Sequence, residues 1–178
     1  VVTAVLVLVL VLLSLVLVGF VVGYNKIRTA DVRVTEALAG IDVELTRRAS
    51  LIPSLVHTVE TFAAHERTLL DRVVTAQKAL TSATGGTSVA QRSAAERDLD
   101  DAVGRLLAAS RGRQQSAASE NFLNLQENLA DTEKTLAFAR QYYNDAVATL
   151  NRLVGTIPWM LVAPLAGVGE REYYQMPR

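Results

Sequence analysis

The 178-residue chain contains no cysteine, which excludes disulfides, thiolate metal sites and a cysteine nucleophile together. Neither charge is in excess, since 18 Lys and Arg balance 18 Asp and Glu. Nothing therefore draws the chain electrostatically to nucleic acid, and no basic block is long enough to hold a polyphosphate. Glycine and proline are sparse, at 10 and 4 residues, and mostly mark segment ends. Aromatic residues make up only 6%. A core must then be built from Leu, Val, Ile and Ala, the palette of helix bundles.

Charge is missing altogether from one stretch. Val1 to Val22 hold no ionisable side chain, and Thr3 and Ser14 are their only polar ones. As a helix this run is ~33 Å long, at roughly 1.5 Å per residue, against a hydrocarbon core ~30 Å thick. In lipid the backbone must satisfy its own hydrogen bonds, so a single span is helical. Tyr24 and Lys26 follow, an amphipathic ring and a snorkelling amine of the kind found at a membrane edge. A secretory signal has a shorter apolar stretch and a small-residue cleavage site; Gly19-Phe20-Val21-Val22-Gly23 is a poor one. A soluble helix apolar on every face would need a far larger domain around it. Residues 1–23 are thus expected to form one transmembrane helix that places the protein in the cell membrane, with the lipid bilayer as its first partner. Lys26, Arg28 and Arg33 favour a cytoplasmic flank. Basic residues ahead of Val1 would weigh the other way, so both orientations stay open.

Beyond Tyr24 the pattern turns periodic. One heptad row reads Ile27, Val34, Ile41, Arg48, Leu55, Phe62, Leu69, Ala76, and its companion reads Asp31, Leu38, Leu45, Ile52, Val59, Glu66, Val73, Leu80. All but Asp31, Arg48 and Glu66 are apolar, which predicts a long helix over about 24–82 with one packed seam. The three exceptions have two readings of equal weight, register or pairing positions and solvent-tolerant lapses in the seam. Pro53 removes a backbone hydrogen bond and clashes with the carbonyl of Ala49. Because the hydrophobic phase passes through it unchanged, it predicts a kink or a tight break with the axis roughly preserved, and not a long loop. Residues 81–93, around Gly85-Gly86, read as a loop. A helix over about 90–110 follows, with Leu99, Val103, Leu106 and Leu107 as its apolar stripe and Asp98, Asp100 and Asp101 mostly on its wet face. RGRQQSAAS reads as a further connection. The last helix, 119–157, repeats Phe122, Leu129, Leu136, Tyr143, Leu150 and Ile157 every seven residues, with Ser119 as its cap and Pro158 as its end. The tail, 158–178, is apolar and irregular. It has three readings: docked on the bundle, buried at a subunit contact, or dipped into the membrane surface.

Several strings resemble one family. Tyr24-Asn25, Glu36-Ala37, Ile41-Asp42-Val43-Glu44-Leu45, Arg47-Arg48 and Leu51-Ile52-Pro53-Ser54-Leu55-Val56 are similar to the opening of the LemA family, and Ala63-Ala64-His65-Glu66 continues it. Glu120 to Glu127 and Phe138 to Val147 resemble its second block. Asn151, Ile157-Pro158 and Tyr173-Tyr174 resemble its closing signature. The resemblance implies bacterial membrane proteins with one N-terminal anchor, an antiparallel helical domain and no known catalytic activity. The chain departs from that pattern in the connection before Asn121, which lacks a proline-containing spacer. It departs again in the tail, with Trp159-Met160 and Pro164.

No catalytic constellation emerges. His57 and His65 are eight apart on one predicted helix, so their rings point about 80° away from each other, and there is no HExxH. Gly85-Gly86 lacks the strand and lysine of a phosphate cradle. No serine sits at a nucleophile elbow. Tyr143 lies on a seam, where packing accounts for it and its hydroxyl seeks a polar partner. The expected fold is all-α, an N-terminal transmembrane helix continuing into an antiparallel bundle of long helices. The apolar run and the seam are separated by only a few residues, so one long helix from Val1 to about Leu51 is expected to carry the bundle. The expected function is a structural, self-assembling homo-oligomeric scaffold in the bacterial envelope, without catalysis, cofactor, metal or nucleic acid. The alternative is an adaptor or regulator of another membrane complex, such as a protease or an envelope-stress system. Tyr24, Arg48, Pro53, His65, Glu66, Tyr143 and Trp159 are the candidate interaction residues.

Overall fold

The structure, a computed structural model, describes residues 2–63, 65–86, 88–110 and 119–175, without the side chains of residues 62, 63 and 119. The connection read at RGRQQSAAS and the cap read at Ser119 lie outside what is described. Helix is the only regular structure among the described residues. It comprises α1 (Val2–Ala63), α2 (Arg67–Ala83), α3 (Val89–Ser110), α4 (Ser119–Val154) and one turn, α5 (Trp159–Val162). The fold is therefore all-α, with α1 packed against α4 in a bundle. The start of α1 shares a compact unit with the end of α4, so the pair is antiparallel.

Two compact units divide the chain. The first comprises Val1–Glu36 and Asn144–Glu172. Here α1 buries Ile27, Ala30 and Val34, α4 buries Val147 and Leu150, and the segment after α4 buries Val162, Ala163, Ala166 and Val168. Trp159 lies directly on Gly23, where a Cβ would stand 2.4 Å from its Cζ3. Only a residue without a side chain admits that ring. The α4-to-tail return is clasped by Asn151. Its Nδ2 donates to the Arg171 carbonyl at 3.0 Å, and the Arg171 amide donates back to Oδ1 at 2.8 Å. Arg171 also reaches Asp31 at 2.8 Å, which gives the first seam exception its partner. N-terminal to Gly23, α1 is bare: its most apolar 18-residue window has mean hydropathy 3.4 and none of it is buried. Among the described residues one helix is thus long and apolar enough to cross a membrane.

The second unit comprises Ala37–Tyr143 and Tyr173–Arg178. Its core is built from Ile41, Leu45, Ile52, Leu55 and Val59 of α1, Leu70, Val73 and Leu80 of α2, Leu99, Val103 and Leu106 of α3, and Phe122, Leu129, Leu136 and Tyr143 of α4. Each such apolar side chain contributes roughly 1.5–3 kcal/mol when fully buried. Gly85, at φ 86°, supplies the left-handed turn that ends α2. A capping box then starts α3. The Gln91 amide donates to Ser88 Oγ and the Ser88 amide to Gln91 Oε1, both at 3.2 Å.

The structure departs from the sequence reading at three places. The helix expected to reach residue 82 breaks before Arg67. Glu66 leaves helical geometry at ψ 33°, and its carbonyl accepts from the amides of Leu69 and Leu70. Nothing in Ala63-Ala64-His65-Glu66 is a helix breaker. Beside the break Leu70 is buried and Leu69 half-buried, while Val73, Ala76 and Leu80 keep the expected phase. Pro53 lies inside α1 with helix on both sides and not in a loop. The seam companion in the first heptads is Ala30 and Ala37, both buried, while Asp31 and Leu38 are half-buried. From Ile41 onward the i+4 row of Leu45, Ile52 and Val59 takes over. Seven residues fall ~20° short of two helical turns, so the buried stripe migrates along so long a helix. Finally, α4 ends at Val154 and Ile157 is 79% exposed, because a residue before proline is disfavoured in the helical region.

Filling Gly23 tests the Trp159 contact. Gly23→Leu is expected to expel the ring, at a cost of about 1–3 kcal/mol. Trp159 is the only tryptophan, so its emission should shift to the red and its access to a soluble quencher should rise. Gly19→Leu, where nothing lies within 4 Å, should leave both unchanged.

Candidate functional site

The only extended set of buried charges among the described residues lies in the second unit. Its first member, Arg48, is the polar lapse in the α1 seam. It is 7% exposed, and a guanidinium does not shed its proton, so the fold must bring carboxylates to it. Asp100 of α3 supplies one, 2.6 Å from Nη2, and Glu133 of α4 accepts a hydrogen bond from Nη1. Seven residues after Glu133, on the same face of α4, Arg140 donates to it at 3.1 Å and to Glu96 of α3. The second oxygen of Glu96 accepts from the hydroxyl of Tyr174 at 2.8 Å. Tyr174 meets Tyr143 edge-to-face, with centroids 6.3 Å apart. One chain of contacts thus runs Asp100–Arg48–Glu133–Arg140–Glu96–Tyr174–Tyr143 and joins α1, α3, α4 and the tail. A separate pair, Arg92 and Asp42, approaches to 2.9 Å across α3 and α1.

The network carries two guanidinium charges against three carboxyl groups, and its titration reflects that excess. Burial pushes Asp100 up to about 6; Arg48 opposes the shift, and Glu133 and Glu96 add to it. Burial also raises Glu133, but Arg48 and Arg140 together outweigh it and hold that carboxyl below its ordinary range. Burial and the negative charge of Glu96 raise the Tyr174 phenol, which stays a neutral donor. Burial raises Asp42 as well, against the pull of Arg92.

Three hollows open beside this core. A groove of about 560 Å³ between α2 and α3 is lined by Asp71, Arg72, Asp98, Asp101 and Arg105. One of about 610 Å³ between α1 and α4 is lined by Pro53, His57, Asn121, Asn124 and Asn128. An apolar one of about 230 Å³ is lined by Leu45, Ala49, Pro53, Leu80 and Thr84. No network residue lines any of these three. Among the described residues no group of three or more His, Asp or Glu is arranged to hold a metal ion.

The candidate residues scatter accordingly. Arg48 and Tyr143 stand near opposite ends of the network. Pro53 is exposed at the lip of two hollows. His65 and Glu66 form the α1–α2 break, His65 in its turn and Glu66 as the residue preceding α2. Tyr24 is 36% exposed and packs on Phe20, with ring centroids 6.3 Å apart. Trp159 sits on Gly23, with Lys26 Nζ 5.5 Å from its ring centroid. Asp100, placed with Asp98 and Asp101 on a wet face, instead turns inward to Arg48. Glu96, Glu133, Arg140 and Arg92 escaped the sequence reading. Stepping the Leu99–Val103–Leu106 stripe backwards reaches Glu96 and Arg92, and charges on a buried stripe are the signal that was available.

Removing one partner of a buried ion pair typically costs 3–5 kcal/mol. Arg140→Met is expected to cost at least about 3 kcal/mol in urea unfolding of the detergent-solubilised chain, and Tyr174→Phe about 1–2 kcal/mol. The raised Asp100 carboxyl binds its proton more tightly in the folded state. Its contribution to stability is full below pH 3.8 and is lost as pH rises through about 6. That contribution is about 1–3 kcal/mol for a partly exposed group. Asp100→Asn should flatten the decline between these pH values, as read from urea midpoints; an unchanged slope would contradict the assignment.

No curated individual protein matches the sequence. The model of the LemA family matches residues 37–178, which hold the whole charge network and the tail, and the chain belongs to the LemA family.

Proposed function

We propose that the protein is a membrane-anchored scaffold that assembles laterally with copies of itself. The observation that carries this reading is the bare stretch of α1. From Val5 to Val18 its Val and Leu side chains are 46–70% exposed on every face of the helix. Leaving these thirteen side chains in water would forfeit on the order of 20–40 kcal/mol, so a bilayer is the natural environment of this segment. The charge network supports a structural role, because its groups pair with one another. Self-assembly is supported by apolar side chains left on the bundle surface. Phe138 and Tyr142, one turn apart on α4, are 67% and 59% exposed, and Val43 is 65% exposed. Confinement of all copies to one plane raises their effective concentration, so modest contacts suffice.

The expected result is a mass of several chains by light scattering in mild detergent. Phe138→Ser with Tyr142→Ser should lower it without loss of helix. A single-chain mass over a wide concentration range would contradict self-assembly. A foreign protein co-purifying in fixed stoichiometry would favour the adaptor alternative.

A further inference from the structure

The segment after α4 carries no charge between Arg152 and Glu170, and it is apolar on two sides. Its inner side buries Val162, Ala163, Ala166 and Val168. Its outer side leaves Ile157, Met160, Leu161 and Leu165 exposed by 79, 47, 68 and 70%. Burial of the inner side shows that the segment is docked, so the outer exposure is not that of a loose end. Its level along α1 is fixed. Trp159 lies on Gly23 and beneath the Lys26 amine, one residue past the end of the apolar run at Val22. The Asn151–Arg171 bonds and the Arg171–Asp31 pair pin the return. Trp, Tyr and Lys at the end of an apolar helix mark the membrane–water boundary, and the docked turn stands at that boundary.

We propose that this turn is a second membrane contact, an interfacial foot whose Ile157, Met160, Leu161 and Leu165 enter the boundary between headgroups and acyl chains beside the anchor. It is too short to cross a bilayer, and its exposed apolar side chains suit the shallow depth of an interfacial element. The foot fixes the height of the first unit in the membrane, and a single span alone does not do that. The inference rests on α1 being inserted in the bilayer, so its test reads that separately.

The absence of cysteine makes single-site labelling direct. Leu161→Cys and Leu165→Cys, with Leu12→Cys and Gln77→Cys as references, would carry a polarity-sensitive dye. The full chain would be placed in vesicles of phosphatidylcholine and phosphatidylglycerol holding a lipid quencher near the headgroup or near the chain end. Dyes at positions 161 and 165 are expected to shift to the blue and lose roughly half their emission to the shallow quencher, and less to the deep one. The dye at 12 should show the reverse order, and the dye at 77 should respond to neither. Quenching at 12 with a response at 161 and 165 like that at 77 would overturn the foot and leave the anchor standing. A blue shift at 161 and 165 without lipid quenching would assign the surface to a second copy of the chain and overturn the foot. No quenching at 12 would overturn the anchor and the foot with it.

Discussion

A guanidinium that cannot lose its proton, held where water barely reaches, constrains everything around it. Arg140 is 3% exposed, and an unpaired charge at that depth would cost several kcal/mol. Glu96 must then come from α3 and Glu133 from one helical turn-pair earlier on α4. Glu133 in turn is shared with Arg48, which fixes the rotation and height of α1 against α4. Tyr174 closes the far side of Glu96 and holds the tail. Apolar packing alone tolerates sliding of long, similar helices past one another. A set of shared ion pairs does not, because a one-residue slip would strand several charges at once. The network therefore specifies register in the second unit, while leucine and isoleucine burial supplies most of its stability.

The first unit meets the opposite constraint. The stretch of α1 before Gly23 carries no charge and nothing is packed on it, so its solvent must be chosen to fit the side chains. Where the apolar run ends, the sequence changes to Gly23, Tyr24 and Lys26, and Trp159 docks at that point. One glycine decides whether the ring can lie there. The same turn then presents apolar side chains outward at the level where an anchored helix would leave the lipid.

Much of this was legible in the sequence, and the reasons are particular. An uncharged run of 22 residues admits few structures, so the bare helix could be read directly. Heptad spacing located α1, α3 and α4, and the two exceptions Asp31 and Arg48 were recognisable as pairing positions. Their partners were not. Arg171 lies 140 residues from Asp31, and Glu133 lies 85 from Arg48. Periodicity reports which face of a helix is buried, not which distant face meets it. Glu96 and Asp100 were missed because charged residues near a helix surface default to solvent, a rule that fails wherever a buried arginine recruits them. The break before α2 was hidden because good helix formers occupy it. Tyr174 was visible as part of a family signature, yet its burial against Glu96 depends on the tail's return, which no local pattern encodes.

The central claim is that Arg140 and Glu96 act as one unit and not as two separate polar residues. A double-mutant cycle measures this directly, with urea unfolding of Glu96→Gln, Arg140→Met and the combined variant. Coupling of about 2 kcal/mol or more is expected, with the double variant no less stable than Arg140→Met alone. Losses that add to within about 0.5 kcal/mol would contradict the account.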